Sequence, residues 1–315
     1  MSASQSHASP ARIALGFAAV YILWGSTYLG IRFAVASIPP LLMAGTRFFA
    51  AGCILYALVR LRGAARPTFN HWRSAALLGG LLLLGGNGLV SIAEQTVPSG
   101  IAALIVAAVP FWMVLLNAVE RRTAPRLSVI AGLVLGIVGL AILVLPGKSA
   151  GHADPLGVGF LLAASFSWAV GSLYAPRAHL PASTFLGIAM EMMAGGALLW
   201  IVGLATGEGV ALHLDGITLK SVLALVYLTI FGSLLGFSAY VWLLKVTTPA
   251  RASTYAFVNP VIAVILGWAL AGETLDARIL LAGAIIVAAV CIIMYFGAAK
   301  GAKAGTARPA EASEA

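Results

Sequence analysis

Residues 21–28 read YILWGSTY, and residues 165–172 read SFSWAVGS. At an offset of 144, Tyr21, Trp24 and Tyr28 fall opposite Ser165, Trp168 and Ser172. The register holds further on, where Arg47 and Gly52 fall opposite Glu191 and Gly196. It then drifts slowly: Pro110 meets Pro260 at 150, while Pro98 meets Pro249 and Gly132 meets Gly283 at 151. Trp, Gly and Pro recur in any membrane-embedded chain, so one match would carry no weight. A slow drift across four pairs of segments marks a duplication.

Both stretches lie inside apolar runs, and such runs fill the chain. Ten are legible, at 13–31, 40–60, 74–93, 99–119, 127–146, 156–176, 183–205, 219–243, 250–271 and 278–297. Each is close to the roughly 20 apolar residues that cross a bilayer as a helix. Of the 315 residues, 61% are hydrophobic and 9% charged, against about 25% charged in a soluble domain. Mean hydropathy is +1.01. This composition excludes a soluble globular enzyme. Cys53 and Cys291 lie in apolar runs and offer neither a disulfide framework nor a metal-ligand spacing. The first run has no small-residue cleavage site behind a short apolar core, so it reads as a retained helix rather than a signal peptide.

Charge sets the expected orientation. With the N-terminus cytoplasmic, the inner segments hold Arg12, Arg60, Arg62, Arg66, Arg73, Arg121, Arg122, Arg126, Arg177, Lys245, Arg251, Lys300, Lys303 and Arg308. The outer segments hold only Arg32, Lys148, Lys220 and Arg278. The bias predicts both termini inside. It also accounts for the net charge of +9 without any nucleic-acid partner.

Each copy of the duplication holds five spans. Five is odd, so the second copy must enter the bilayer from the opposite face. The expected fold is therefore all-α and integral to the membrane, with ten transmembrane helices in two inverted five-helix repeats. The expected organisation is a cytoplasmic tail over 1–11, a first repeat over 12–147, a connecting loop over 148–155, a second repeat over 156–297 and a cytoplasmic tail over 298–315. Inverted repeats place substrate sites near the midplane between the halves.

The side chains that could serve such a site are few. Tyr21, Trp24, Thr27 and Tyr28 share one helical stripe of aromatic faces and hydroxyls. Ser165, Trp168 and Ser172 repeat it in the sixth run. Two facing tryptophans would hold a flat or apolar part of a small-molecule substrate. The plainer alternative is helix packing or an interfacial belt. Arg47 and Glu191 are charges inside apolar runs, each costing on the order of 3 kcal/mol on insertion scales. Each binds a substrate charge, titrates or pairs with a neighbour; Arg47 has the further option of snorkelling outward. Their inferred depths differ, which argues against a direct pair.

Asn87 stands among Gly85, Gly86 and Gly88, where backbones can approach or bend, and Glu94 follows two turns later at the outer mouth. Trp112 follows Pro110, a potential kink. Ser233, Phe237 and Tyr240 form one stripe of the eighth run. Tyr255 and Asn259 precede Pro260 in the ninth. Cavity lining and interhelical hydrogen bonding are equally open for these. Gly132, Gly136 and Gly139 mark close helix packing, inside the protomer or in a weak homo-oligomer. All five His fall in tails or loops, so no buried His is expected for a proton relay or a metal site. Nucleotide-binding and hydrolase motifs are absent from the sequence, so no cofactor and no catalytic residues are expected. The driving force is then an ion gradient, exchange or the substrate gradient.

The chain resembles the drug/metabolite transporter superfamily, and its EamA-type members in particular. The residues that carry the resemblance are Trp24-Gly25-Ser26-Thr27-Tyr28, Pro98-Ser99-Gly100, Ser253-Thr254-Tyr255-Ala256-Phe257-Val258-Asn259-Pro260 and Gly272-Glu273-Thr274-Leu275. The first-half counterpart of the last motif, Glu120-Arg121-Arg122-Thr123, is looser, beginning ten residues after Pro110 where Glu273 sits thirteen after Pro260. The resemblance implies a basket-like transporter of the plasma (inner) membrane, exporting amino acids or other small metabolites. Uptake, or passage of a sugar-like solute, is the alternative within transport. A lipid-modifying membrane enzyme would need clustered acids, whereas Glu94, Asp154, Glu208, Asp215, Glu273 and Asp276 are spread over four loops.

Overall fold

The computed structural model describes residues 9–122, 124, 127–144, 154–247 and 254–298. Among these residues the regular structure is helical, with no strand. Lys148, Pro249, Arg251 and the tail beyond 298 lie outside the described residues. Seven helices are long and apolar enough to cross a membrane, and three apolar helices are shorter. In chain order they are α1 (Pro10–Ala34), α2 (Pro40–Leu61), α3 (Phe69–Ala93), α4 (Ser99–Glu120), the shorter α5 (Leu127–Leu143), α6 (Pro155–Arg177), α7 (Thr184–Ala205), α8 (Leu219–Leu243), and the shorter α9 (Tyr255–Ala271) and α10 (Ala277–Ile293).

Hydrophobic runs decide that these helices form; polar caps decide where they start. Ser9, Ser183 and Thr218 each accept a first-turn N–H of the helix that follows. The Asp154 carboxylate takes the N–H groups of Leu156 and Gly157. Thr68 and His71 form a reciprocal cap, and α3 therefore starts at Phe69. That is earlier than the apolar run at 74–93, because Asn70, His71 and Arg73 hide the first turn from a hydrophobicity reading. His71 sits in a helix, not in a loop as the sequence suggested. Arg32, counted with a loop, likewise lies in the last turn of α1.

Two helices break regularity in the same way. α3 widens into π geometry over Gly79–Gly88, and α8 does so over Leu228–Leu235. α4 is interrupted at Ala107–Ala108, and Pro110 stands in the first turn of its second piece, where its missing N–H costs least. α9 carries Pro260 inside an unbroken helix.

The packing repeats on a shift of five. α1 lies against α8 and α9, and α6 lies against α3 and α4; α2 crosses α7, and α5 crosses α10. Adding five to each label returns the same set of pairs. Gly52 and Gly196, matched in the sequence, both stand at the α2–α7 crossing. A Cβ at Gly52 would come within 2.7 Å of the Met193 nitrogen, and one at Gly196 within 2.6 Å of the Phe49 nitrogen. The Gly132–Gly139 stripe is covered inside the chain by Ile293 and Ile286 of α10. Gly283 departs from the repeat and faces Leu104 of α4.

The two ends of the bundle differ. Where α1 finishes and α2 and α4 begin, Leu29, Gly30, Ile31, Leu41, Met43, Ala44 and Ser99–Ile105 are buried. Toward the other end of α4, residues 108–118 include no buried side chain. The tight end is fastened by carboxylates. α2 and α4 each follow a proline, Pro39 or Pro98, with no side-chain cap of their own. Glu208 instead accepts from the Leu41 and Leu42 N–H groups at 3.1 and 2.9 Å. Glu273 accepts from the Ser99 N–H at 2.7 Å, the Ser99 hydroxyl at 2.8 Å and the Gly100 N–H at 3.0 Å. A carboxylate at a helix N-terminus satisfies otherwise orphaned donors and meets the positive end of the dipole. Here the second half of the chain caps the first.

Candidate functional site

Two aromatic walls form from the sequence-derived residues. In one, Trp24 packs at 5.3, 5.1 and 4.9 Å from the ring centroids of Phe237, Tyr240 and Tyr255. Its Nε1 donates to the Gly232 carbonyl at 3.1 Å, reaching α8 where the π turns bring backbone forward. Tyr21 shares a 2.5 Å hydrogen bond with Thr254, and the Thr27 hydroxyl donates to the Trp24 carbonyl at 2.6 Å. This wall joins α1, α8 and α9. In the other, Trp112 donates from Nε1 to the buried Ser165 hydroxyl at 2.9 Å and stands edge-on to Phe166. Trp168 presses on Gly86, where a Cβ would meet its ring at 2.8 Å. Asn87 donates from Nδ2 to the Leu82 carbonyl at 3.3 Å, serving a group that the wide turns leave available. This second wall joins α6, α3 and α4, which is the first wall shifted by five.

Trp24 and Trp168 thus belong to different walls, and among the described residues no ring contact joins them. Ser172 is half-buried one turn beyond Trp168. Tyr28 is half-buried on α1 beside the apolar core of the tight end.

Arg47 does not snorkel. It is 5% exposed, with its guanidinium 4.6 Å from the Phe48 ring centroid. Its Nε donates to the buried Ser233 hydroxyl of α8 at 3.0 Å. Among the described residues that is the guanidinium's one hydrogen bond, and the terminal nitrogens carry no protein acceptor. Glu191 is half-buried on α7, with no hydrogen bond or ion pair at its carboxylate among the described residues. Arg47 and Glu191 are not paired. Asn259, on α9, is buried with no partner for its Oδ1.

Sequence reading set Glu94 at the outer mouth and did not foresee its burial. Glu94 is not at an open mouth: it is fully buried, and neither carboxylate oxygen has a hydrogen-bond partner. The charges acting on it come from Glu273, Arg32 and Arg47. The apolar run ends at residue 93, so hydropathy alone placed the next residue in solvent. The signal against that was Val97, an apolar residue three positions on, which packs in the core. A separate pocket of about 240 Å³ lies at the tight end between Arg32, Pro98, Gly100, Ile101, Val264 and Glu273. None of the sequence-derived site residues line it. Its carboxylate is already committed to the start of α4, so it reads as a gap beneath that fastening.

Residues 11–145 and again 155–295 match the EamA-like transporter family. The chain belongs to that family. Within it, the chain is 44% identical over 277 residues to the uncharacterized inner membrane transporter YedA of Escherichia coli (strain K12), covering 87% of this chain and 88% of that one. It is 28% identical to a probable amino-acid metabolite efflux pump of Salmonella typhimurium (strain LT2), covering 88% and 93%. The uncharacterized transporter YvbV of Bacillus subtilis (strain 168) is 26% identical, covering 90% and 91%. One crystal structure of a 21% identical protein superposes with a TM-score of 0.58 over 90% of this chain and 96% of the other, which shows a shared fold. The double family match and the five-helix shift in packing describe the same duplication.

Proposed function

We propose that this EamA-family transporter exports amino acids or related small metabolites across the plasma (inner) membrane by alternating access. In this reading the seven spans and three shorter apolar helices make ten crossings in two inverted repeats. The repeats are 12–147 and 156–297, joined by 148–155. The tails 1–11 and 298–315 face the cytoplasm, and the tight end fastened by Glu208 and Glu273 faces outward. The name of the Salmonella typhimurium relative, at 28% identity, supports amino-acid efflux.

The observation that carries the reading is Arg47. A guanidinium is held in the bundle by Ser233 through Nε alone, which leaves its fork of terminal N–H groups to a carboxylate. With it we group the candidate substrate-binding residues Tyr21, Trp24, Thr27, Tyr28, Tyr240, Tyr255 and Asn259 of the α1–α8–α9 side, whose Gly232 lies between Thr27 and Arg47, and Asn87, Trp112, Trp168 and Ser172 of the α3–α4–α6 side. Glu191, in the opposite half of the bilayer, is the carboxylate available to an ammonium group. Aromatic faces supply rigid apolar area for the remainder of a small metabolite.

The test is flux of a broad radiolabelled metabolite panel in proteoliposomes. Movement of amino acids in wild type, lost in Arg47→Gln, is expected. Movement of uncharged sugars alone would replace the reading with the alternative, and movement of nothing in the panel would remove the transport reading itself.

A further inference from the structure

Glu94 is the one carboxylate in the described structure that is both wholly buried and unpartnered. Its side chain is 0% exposed, and both oxygens lack a hydrogen bond. The segment that carries it belongs to the apolar core through Val90, Ala93 and Val97. Leaving an ionised carboxylate there costs far more than leaving a neutral acid, because ionic hydration is lost without replacement.

The neighbouring groups do not relieve it. From α1, Arg32 donates at 2.9 and 3.3 Å to the backbone carbonyls of Glu94 and Val97 rather than to the carboxylate. Tyr28, also on α1, lies within its electrostatic reach. From α2, Arg47 is turned to Ser233 and Phe48. From the α9–α10 connection, Glu273 adds a like charge and is itself spent on Ser99 and Gly100. At the start of α6, Asp154 is engaged with Thr96 and its own helix. Two arginines stand near, yet neither is aimed at the carboxylate in this arrangement. A small opening of the tight end would give an ionised Glu94 both water and a guanidinium.

We propose that Glu94 is a proton-binding site that makes opening of the tight end, and so transport, depend on pH. It holds a proton while the tight end is closed and releases it when that end opens. The step is a simple acid–base exchange: hydronium gives its proton to a Glu94 oxygen, leaving water and a neutral carboxylic acid. The reverse restores the carboxylate. Low pH therefore favours the closed tight end, and rising pH favours its opening.

The pH dependence of transport rests on the transport reading, but the proton site does not, and the two are tested apart. Infrared difference spectra of the purified protein in liposomes, between acidic and alkaline buffer, report the carbonyl stretch of protonated carboxyls. A component of that band should vanish in Glu94→Gln, move in Glu94→Asp and remain in Glu191→Gln. A band unchanged in both Glu94 variants overturns the inference. Should the Gln variant fail to fold, the Asp variant decides alone. In flux experiments with the amino-acid panel, a change between acidic and alkaline buffer should alter wild-type flux several-fold. It should leave Glu94→Gln flux, still measurable, unchanged. A Glu94→Gln protein that still responds fully to pH overturns the dependence. If no amino acid moves even in wild type, the transport reading fails while the infrared result still judges the proton site.

Discussion

Arg47 combines three properties seldom found together: deep burial, one hydrogen bond to Ser233 and unused terminal nitrogens. Truncating one partner of a buried charge pair costs about 2–5 kcal/mol. Arg47→Gln should therefore weaken binding of a carboxylate-bearing substrate by that amount, measured by isothermal titration in detergent. Arg47→Lys should recover only part of it, because a point charge does not reproduce the fork. Unchanged affinity in both would show that Arg47 serves only the fold. For Trp24 the sequence leaves substrate contact and helix packing open, and the structure gives it close packing partners. Three rings and a carbonyl engage it. Trp24→Phe keeps most ring contacts and loses one hydrogen bond, so stability should fall by about 1 kcal/mol, read by thermal unfolding in detergent. Trp24→Ala should lower the amount of folded protein as well as flux. The sequence picked out Trp24, Arg47, Tyr255 and Asn259 because rare side chains at helical spacing are conspicuous in an apolar run. It misplaced Glu94 because burial of a residue just past a hydrophobic stretch depends on how the next helix folds over it.

Helix starts were partly legible from where the apolar runs begin, closely for α7 and α8 and several residues late for α1 and α3, whose polar caps the runs do not show. Ser9, Thr68, Ser183 and Thr218 are caps that lie next to the turn they serve. The starts of α2 and α4 at Pro40 and Ser99 were legible from the apolar runs, but their caps were not, since Glu208 and Glu273 act from far along the chain. Glu273→Gln should destabilise the protein by about 1–3 kcal/mol, the range for a lost hydrogen bond to a charged group. It should also make a cysteine introduced at Ile101 react faster with a water-soluble thiol reagent. Unaltered melting and unaltered reactivity would show that the tight end holds without this cap. The glycines around Asn87 signalled close approach or a bend in α3 but not its π geometry, and the π segment of α8 was invisible beforehand, because Leu228–Leu235 reads as ordinary apolar helix. Gly86→Leu should be tolerated poorly, since its side chain would enter the Trp168 ring. The expected readout is loss of monodisperse protein on size exclusion.

At the scale of the whole molecule, the duplication was visible from a handful of matched residues, and the packing follows it through every major helix pair. Orientation is the part that charge alone predicts. In a background with Cys53 and Cys291 replaced, Asp215→Cys should react with an impermeant maleimide outside intact cells, and Arg62→Cys should not. Reversed labelling would invert the arrangement. The small-residue ridge of α5 has a consequence for biosynthesis. Its partner α10 leaves the ribosome long after it. At about 5–20 residues per second, the roughly 150 residues between them take on the order of ten seconds to make. Throughout that interval the nascent chain presents a glycine-lined surface to lipid. A quality-control protease that patrols the bilayer would meet this orphaned face on every molecule it inspects, and a chain stopped before α10 should be cleared far faster than the finished one.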